Sequence, residues 1–173
     1  MSTPTRLIAV LLGLLVVLGI GATVFVRSGM YNMGADAPHA PLTLTLLENL
    51  RDNATKAYSR NIVVPDLESP AQIAQGARLY STRCTGCHLA PGVAQSELRT
   101  GLYPQPPDLS TDGIDDTAEA FWIIKHGIKM SAMPAWGKTH TDAEIWSAVA
   151  FLRKLPGMSP AQYQQLAHAN PAQ

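Results

Sequence analysis

Apolar residues are distributed unevenly along the chain. From Leu7 to Val26 there is no charge and no proline, and 16 of the 20 positions are apolar. As a helix rising about 1.5 Å per residue, this run is about 30 Å long, the thickness of a bilayer's hydrocarbon core. Residues 7–27 therefore read as a transmembrane anchor or an uncleaved signal, because the apolar core of a cleaved signal is usually about 7–15 residues and ends near a small-x-small site. An Ala35-x-Ala37 pattern does occur, but it lies well past Val26 and is followed by Pro38. The amine and Arg6 precede the run, so the positive-inside tendency keeps residues 1–6 in the cytoplasm and sends everything after Arg27 to the outer side.

The pattern then changes. Gly34, Pro38 and Pro41 mark a loop, and Leu46, Leu47, Leu50, Ala54 and Ala57 repeat at helical spacing, with Thr45 and Glu48 as a capping box. Residues 28–69 thus read as a tether holding a short amphipathic helix over 46–58, which packs on the domain, lies on a membrane or meets a partner. Ile62, Val63 and Val64 before Pro65 predict extended chain.

Ser69, Pro70 and Gln72 start a helix whose inward face carries Ile73, Gly76, Ala77 and Tyr80. Asp116 with Glu119 caps a helix closed by Gly127, and its apolar run Phe121 to Ile124 predicts a buried element. Thr141 with Glu144 caps another, with Ile145, Ala148, Val149 and Leu152 on one face and Pro156 beyond its end. Residues 70–158 form the expected domain. The tail, 159–173, holds at most a short helix from Pro160 and is assigned no chemistry.

Charge narrows the function. Thirteen acids balance thirteen bases, so no basic field exists to gather nucleic acid. Two cysteines are too few for a disulfide-stapled scaffold. Both lie in Cys84-Thr85-Gly86-Cys87-His88, the attachment pattern of c-type haem. Two thiols three residues apart can add to the two vinyl groups on one porphyrin edge, and the next side chain, His88, is delivered to the iron. A zinc site would need distant ligands as well, and a thioredoxin-like dithiol would need a βαβ pattern that is not visible.

With this motif the chain resembles the class I c-type cytochromes over roughly Pro70 to Leu155. The resemblance implies an all-α class I cytochrome c fold, three or more helices around one covalent haem c, here preceded by a single transmembrane helix. It implies covalent attachment through Cys84 and Cys87 and axial iron ligation by His88 and by a methionine before a proline. Ser131-Ala132-Met133-Pro134-Ala135-Trp136-Gly137 is similar to the family's methionine loop, which makes Met133 the sixth ligand. Met130 is the rival, set aside because Pro134 stiffens the chain at Met133. His126 and His140 read as surface residues. Family members also hold a proline whose carbonyl accepts the second N–H of the histidine, a role open to Pro106 or Pro107. Helix crossing in the family places Gly76 and Tyr80 against Trp146 or Phe151.

A haem closed by His88 and Met133 gains and loses one electron and leaves no position for a substrate. The expected function is a carrier between redox protein partners, held at the bacterial inner membrane with its haem domain in the periplasm, with no nucleic acid and no small-molecule substrate. Two alternatives remain: an electron-transfer subunit of a larger membrane oxidoreductase, and a haem enzyme or gas sensor with a displaceable methionine. Lys125, Lys129 and Lys138 flank the methionine loop as a possible docking patch.

Overall fold

The computed structural model describes residues 3–168, and every regular element among them is a helix. The chain divides between Ala37 and Pro38 into two units. The first holds α1, Thr3–Ser28, whose mean hydropathy reaches 2.8 over its most apolar stretch and none of whose residues is buried by protein. It is long and apolar enough to cross a membrane, with Arg27 in its last turn.

The second unit contains α2 (Pro41–Ser59), α3 (Pro70–Arg83), α4 (Thr85–His88), α5 (Glu97–Thr100), α6 (Thr117–His126), a 3₁₀ turn at Trp136–Lys138, α7 (Asp142–Leu152) and α8 (Pro160–Ala167). Their starts follow local chemistry. Asp116 accepts from the Glu119 amide, and Thr141 with Glu144 and Ser159 with Gln162 form complete capping boxes. Ser69 occupies the N-cap of α3 but makes no side-chain cap bond; Pro70 at the first position sets φ instead.

α2 is longer than the 46–58 expected. It begins at Pro41 for the same reason, so Thr45 and Glu48 fall inside the helix rather than capping it. It packs on α6, with Thr55 and Ser59 buried and Tyr58 stacked on Trp122 at 5.6 Å.

The core forms around α7, which buries Ile145 and every residue from Ser147 to Leu152. One cluster joins Ala77, Tyr80, Phe151 and Leu155 to Tyr163 and Ala167; the other joins Leu67, Phe121, Ile145 and Val149. α6 was the element expected to be buried all round, yet only Ala120 and Phe121 are; Trp122 meets α2 and Ile124 faces a cavity. α8 packs its Tyr163 edge-on to Tyr80 at 6.5 Å, so this part of the tail belongs to the core.

α3 meets α7 at Gly76, where a Cβ would strike the Ser147 carbonyl and stand 2.8 Å from the Phe151 Cβ. Helices can approach this closely only because glycine has no side chain. Tyr80 then lies 5.4 Å from Phe151, ring to ring. Trp146, the other expected partner, stacks instead on Phe121 at 4.0 Å. Glu68 pairs with both Arg153 and Lys154, fastening the segment before α3 to the end of α7.

Candidate functional site

The end of α3 runs directly into the Cys-x-x-Cys-His segment. The Cys84 carbonyl accepts from the amides of Cys87 and His88, at 3.0 and 2.9 Å, winding the motif into one helical turn. Leu89 then turns the chain with φ +61°, a left-handed conformation uncommon for leucine. The buried Tyr80 hydroxyl donates to the carbonyl of Leu89 at 2.8 Å and to that of His88 at 3.0 Å, holding this turn from below.

Nδ1 of His88 lies 3.0 Å from the Pro107 carbonyl, and the Leu109 amide donates to the His88 carbonyl at 3.2 Å. Of the two prolines open to this role, Pro107 fills it. The bond assigns the proton to Nδ1 and leaves Nε2 with a free lone pair. Burial lowers the His88 pKa, favouring the neutral ring, with the Pro107 bond opposing and Arg99 adding to the lowering.

Cys84, His88 and Met133 line one cavity, whose remaining walls include Leu79, Ile124, Trp136 and Leu152. Cys87, half-buried, sits one turn from Cys84 but not on that wall. Burial pushes the Cys84 thiol up to about 12, with Cys87 adding to the shift. The two cysteines are not joined to each other.

Met133 reaches the cavity because its loop is folded tightly against the end of α6. The Ile128 amide donates to the Met133 carbonyl at 3.1 Å, and the Met133 amide donates to the Ser131 hydroxyl at 3.1 Å. Gly127 has φ +66°, and a Cβ there would lie 2.7 Å from the Met133 carbonyl oxygen and from the Ala135 nitrogen. Met130, by contrast, stands at the loop tip with φ +57° and 91% of its surface exposed. His126 is exposed, its ring 4.9 Å from Trp122. His140 departs from expectation: it is half-buried on the cavity wall, its Nδ1 2.9 Å from the Thr139 hydroxyl.

Arg99 was not anticipated. α5 begins at Ser96, which accepts from the Arg99 amide, and the guanidinium donates to the Pro106 carbonyl at 3.1 Å, beside Pro107. Its Nε is buried with no hydrogen-bond partner among the described residues. A lone arginine on a short helix carries no sequence signal for this. Lys125 is not a free member of a docking patch, for it pairs with Asp142 at 2.7 Å and lies over the Phe121 ring; Lys129 and Lys138 are exposed.

The donor set fits a haem. It offers paired thiols one turn apart, a neutral imidazole with a free Nε2, a thioether on an apolar wall and a buried arginine N–H suited to an acid group. Among the described residues no three histidine, cysteine or carboxylate groups converge as a zinc site requires.

Comparison with known proteins agrees. Residues 71–152 match the family described as cytochrome C oxidase, cbb3-type, subunit III. The helical fold, the motif and this match define a c-type cytochrome domain over residues 71–152, preceded by α1, a helix long and apolar enough to cross a membrane. Among curated proteins the chain is similar to the Cbb3-type cytochrome c oxidase subunit CcoP of Azospirillum brasilense, 28% identical over 142 residues. That alignment takes in 80% of this chain and 41% of the relative, so the chain spans about two fifths of the relative's length. No solved structure matches it significantly.

Proposed function

We propose that the chain is a mono-haem carrier of single electrons between redox protein partners, anchored by α1 in a bacterial inner membrane with the haem domain in the periplasm. The supporting observation is the placement of His88 and Met133 on the walls of one apolar cavity that Cys84 also lines.

Bound there, the haem supplies an iron that gains and loses one electron. Cys84 and Cys87 would hold it covalently, and His88 and Met133 would ligate its iron. His88 is kept neutral by burial and oriented by Pro107, so its Nε2 lone pair is available without proton loss. The Met133 thioether brings no charge and favours the reduced state more than a second imidazole would. The apolar walls act in the same direction, since a net-charged oxidised centre is harder to solvate there. Arg99 contributes a positive charge beside the histidine. With His88 and Met133 both holding the iron, the site would transfer electrons rather than transform a substrate.

The similarity to CcoP favours a second reading, in which the chain serves as the electron-transfer subunit of a cbb3-type oxidase. Absorption spectra of the detergent-solubilised protein test the first reading. Sharp reduced bands, a weak far-red band in the oxidised state and no response to carbon monoxide are expected. Rapid carbon monoxide binding without the far-red band would replace the carrier with an enzyme or sensor. Co-purification with oxidase subunits in mild detergent would establish the second reading over a free carrier.

A further inference from the structure

α2 is amphipathic in the reverse of the usual sense. It turns the polar Thr55 and Ser59 into the domain and leaves four of its five leucines outside, Leu42, Leu46, Leu47 and Leu50 being 71, 61, 48 and 67% exposed, while Leu44 is half-buried. At 100° per residue, Leu42, Leu46 and Leu50 form one line along the helix, with Leu47 beside it and Ala54 and Ala57 continuing it. The four charged residues of the helix, Glu48, Arg51, Asp52 and Lys56, all fall outside this sector. The stripe also lies outside residues 71–152, the part matched to a known family.

We infer that the leucine stripe of α2 is a docking surface for the lipid bilayer. The inference rests on the reading of α1 as a membrane anchor. Two observations select lipid as the occupant. First, only residues 29–40 separate α1 from α2, a stretch that spans about 40 Å when fully extended, so the bilayer surface is always within reach. Tethering makes the contact intramolecular in effect, and a small apolar stripe then suffices to hold it. Second, the large side chains of the stripe are all aliphatic, with Thr43 and Asn53 the polar residues of the same sector. It lacks the tryptophan, tyrosine and arginine that dominate protein-binding hot spots, whereas an apolar helix face bordered by polar residues suits the boundary between headgroups and acyl chains. Docked this way, the domain does not tumble on its tether; it presents one fixed face to partners in the plane of the membrane.

The test uses the full haem-loaded chain, one copy per nanodisc of phosphatidylethanolamine and phosphatidylglycerol. Single cysteines introduced by Leu46→Cys, Leu50→Cys, Asp52→Cys and, within the anchor, Leu14→Cys each carry a spin label, and collision rates with oxygen and with a neutral nickel chelate are compared. The expected result is an oxygen-to-nickel ratio several-fold higher at Leu46 and Leu50 than at Asp52, approaching that at Leu14. Nickel access at Leu46 and Leu50 equal to that at Asp52 would overturn the inference, placing the stripe in water. Shielding from both reagents would also overturn it, pointing to a protein partner. A watery Leu14 would instead remove the anchor, and label uptake by the chain without an added cysteine would count against covalent haem attachment.

Discussion

Tyr80 and His88 are joined through the backbone: the phenol on α3 donates to the carbonyl of His88 at 3.0 Å and to that of Leu89 at 2.8 Å. Burial raises the Tyr80 pKa well above its ordinary value, so the group remains a donor. The helix preceding the motif thus helps to fix the turn that carries the histidine.

Tyr80→Phe keeps the ring and removes only this donor. It should cost about 1–3 kcal/mol of stability by taking the hydroxyl from the buried Leu89 carbonyl, while the His88 carbonyl keeps the Leu109 amide. Denaturant unfolding of the haem-loaded protein measures this, and an unchanged midpoint would show that water replaces the hydroxyl without loss.

Met133→Ala is expected to abolish the far-red band and open the iron to carbon monoxide, whereas Met130→Ala leaves the spectrum as it was. The contrast follows from one side chain lining the cavity and the other standing in solvent at the loop tip. A low-spin spectrum typical of two nitrogen ligands in the first variant would identify His140, on the same cavity wall, as a substitute.

Arg99→Gln should lower the midpoint potential, because a nearby cation disfavours the more positive oxidised state. A differential charge interaction of about 1 kcal/mol corresponds to roughly 40 mV for one electron. Arg99→Lys, which keeps the charge but not the planar fork reaching Pro106, should shift it less. Redox titration decides; equal potentials in all three proteins would rule the charge out.

Gly76→Ala is expected to destabilise the domain by about 3 kcal/mol, since the added methyl must displace the α7 backbone at Ser147 rather than a flexible side chain. Thermal unfolding would show it as a large fall in melting temperature, while an alanine tolerated without loss would mean the helices part easily.

Glu68 gives a pH signature. Lys154, by hydrogen bond and charge, lowers its pKa in the folded state; burial opposes this, and Arg153 adds to the lowering. Its contribution is therefore complete above the ordinary carboxylate pKa and is lost as pH falls through the lower folded value. Wild type should unfold at a higher temperature than Glu68→Gln at neutral pH, and the two should converge in acid. A difference that persists at low pH would assign the effect to something other than the ion pairs.

The sequence by itself determined most of what is local, the capping box at Thr45 and Glu48 excepted because Pro41 starts that helix earlier. The cap residues Asp116, Thr141 and Ser159 act on amides within one turn, so their helices begin where the residues say. Cys84, Cys87 and His88 are read together because their chemistry depends on spacing along one strand of chain, and the apolar length of α1 is visible in any window. Tertiary structure decided what depends on distant partners. Only packing distinguishes Phe151 from Trp146 as the neighbour of Tyr80, selects Pro107 over Pro106 and turns His140 inward. Only packing draws α8 into the core and leaves four of the five leucines of α2 outside, because an amphipathic pattern states that a face wants cover without stating what covers it. Arg99 was illegible for the same reason. Its role rests on one carbonyl seven residues away and on burial that no local pattern encodes.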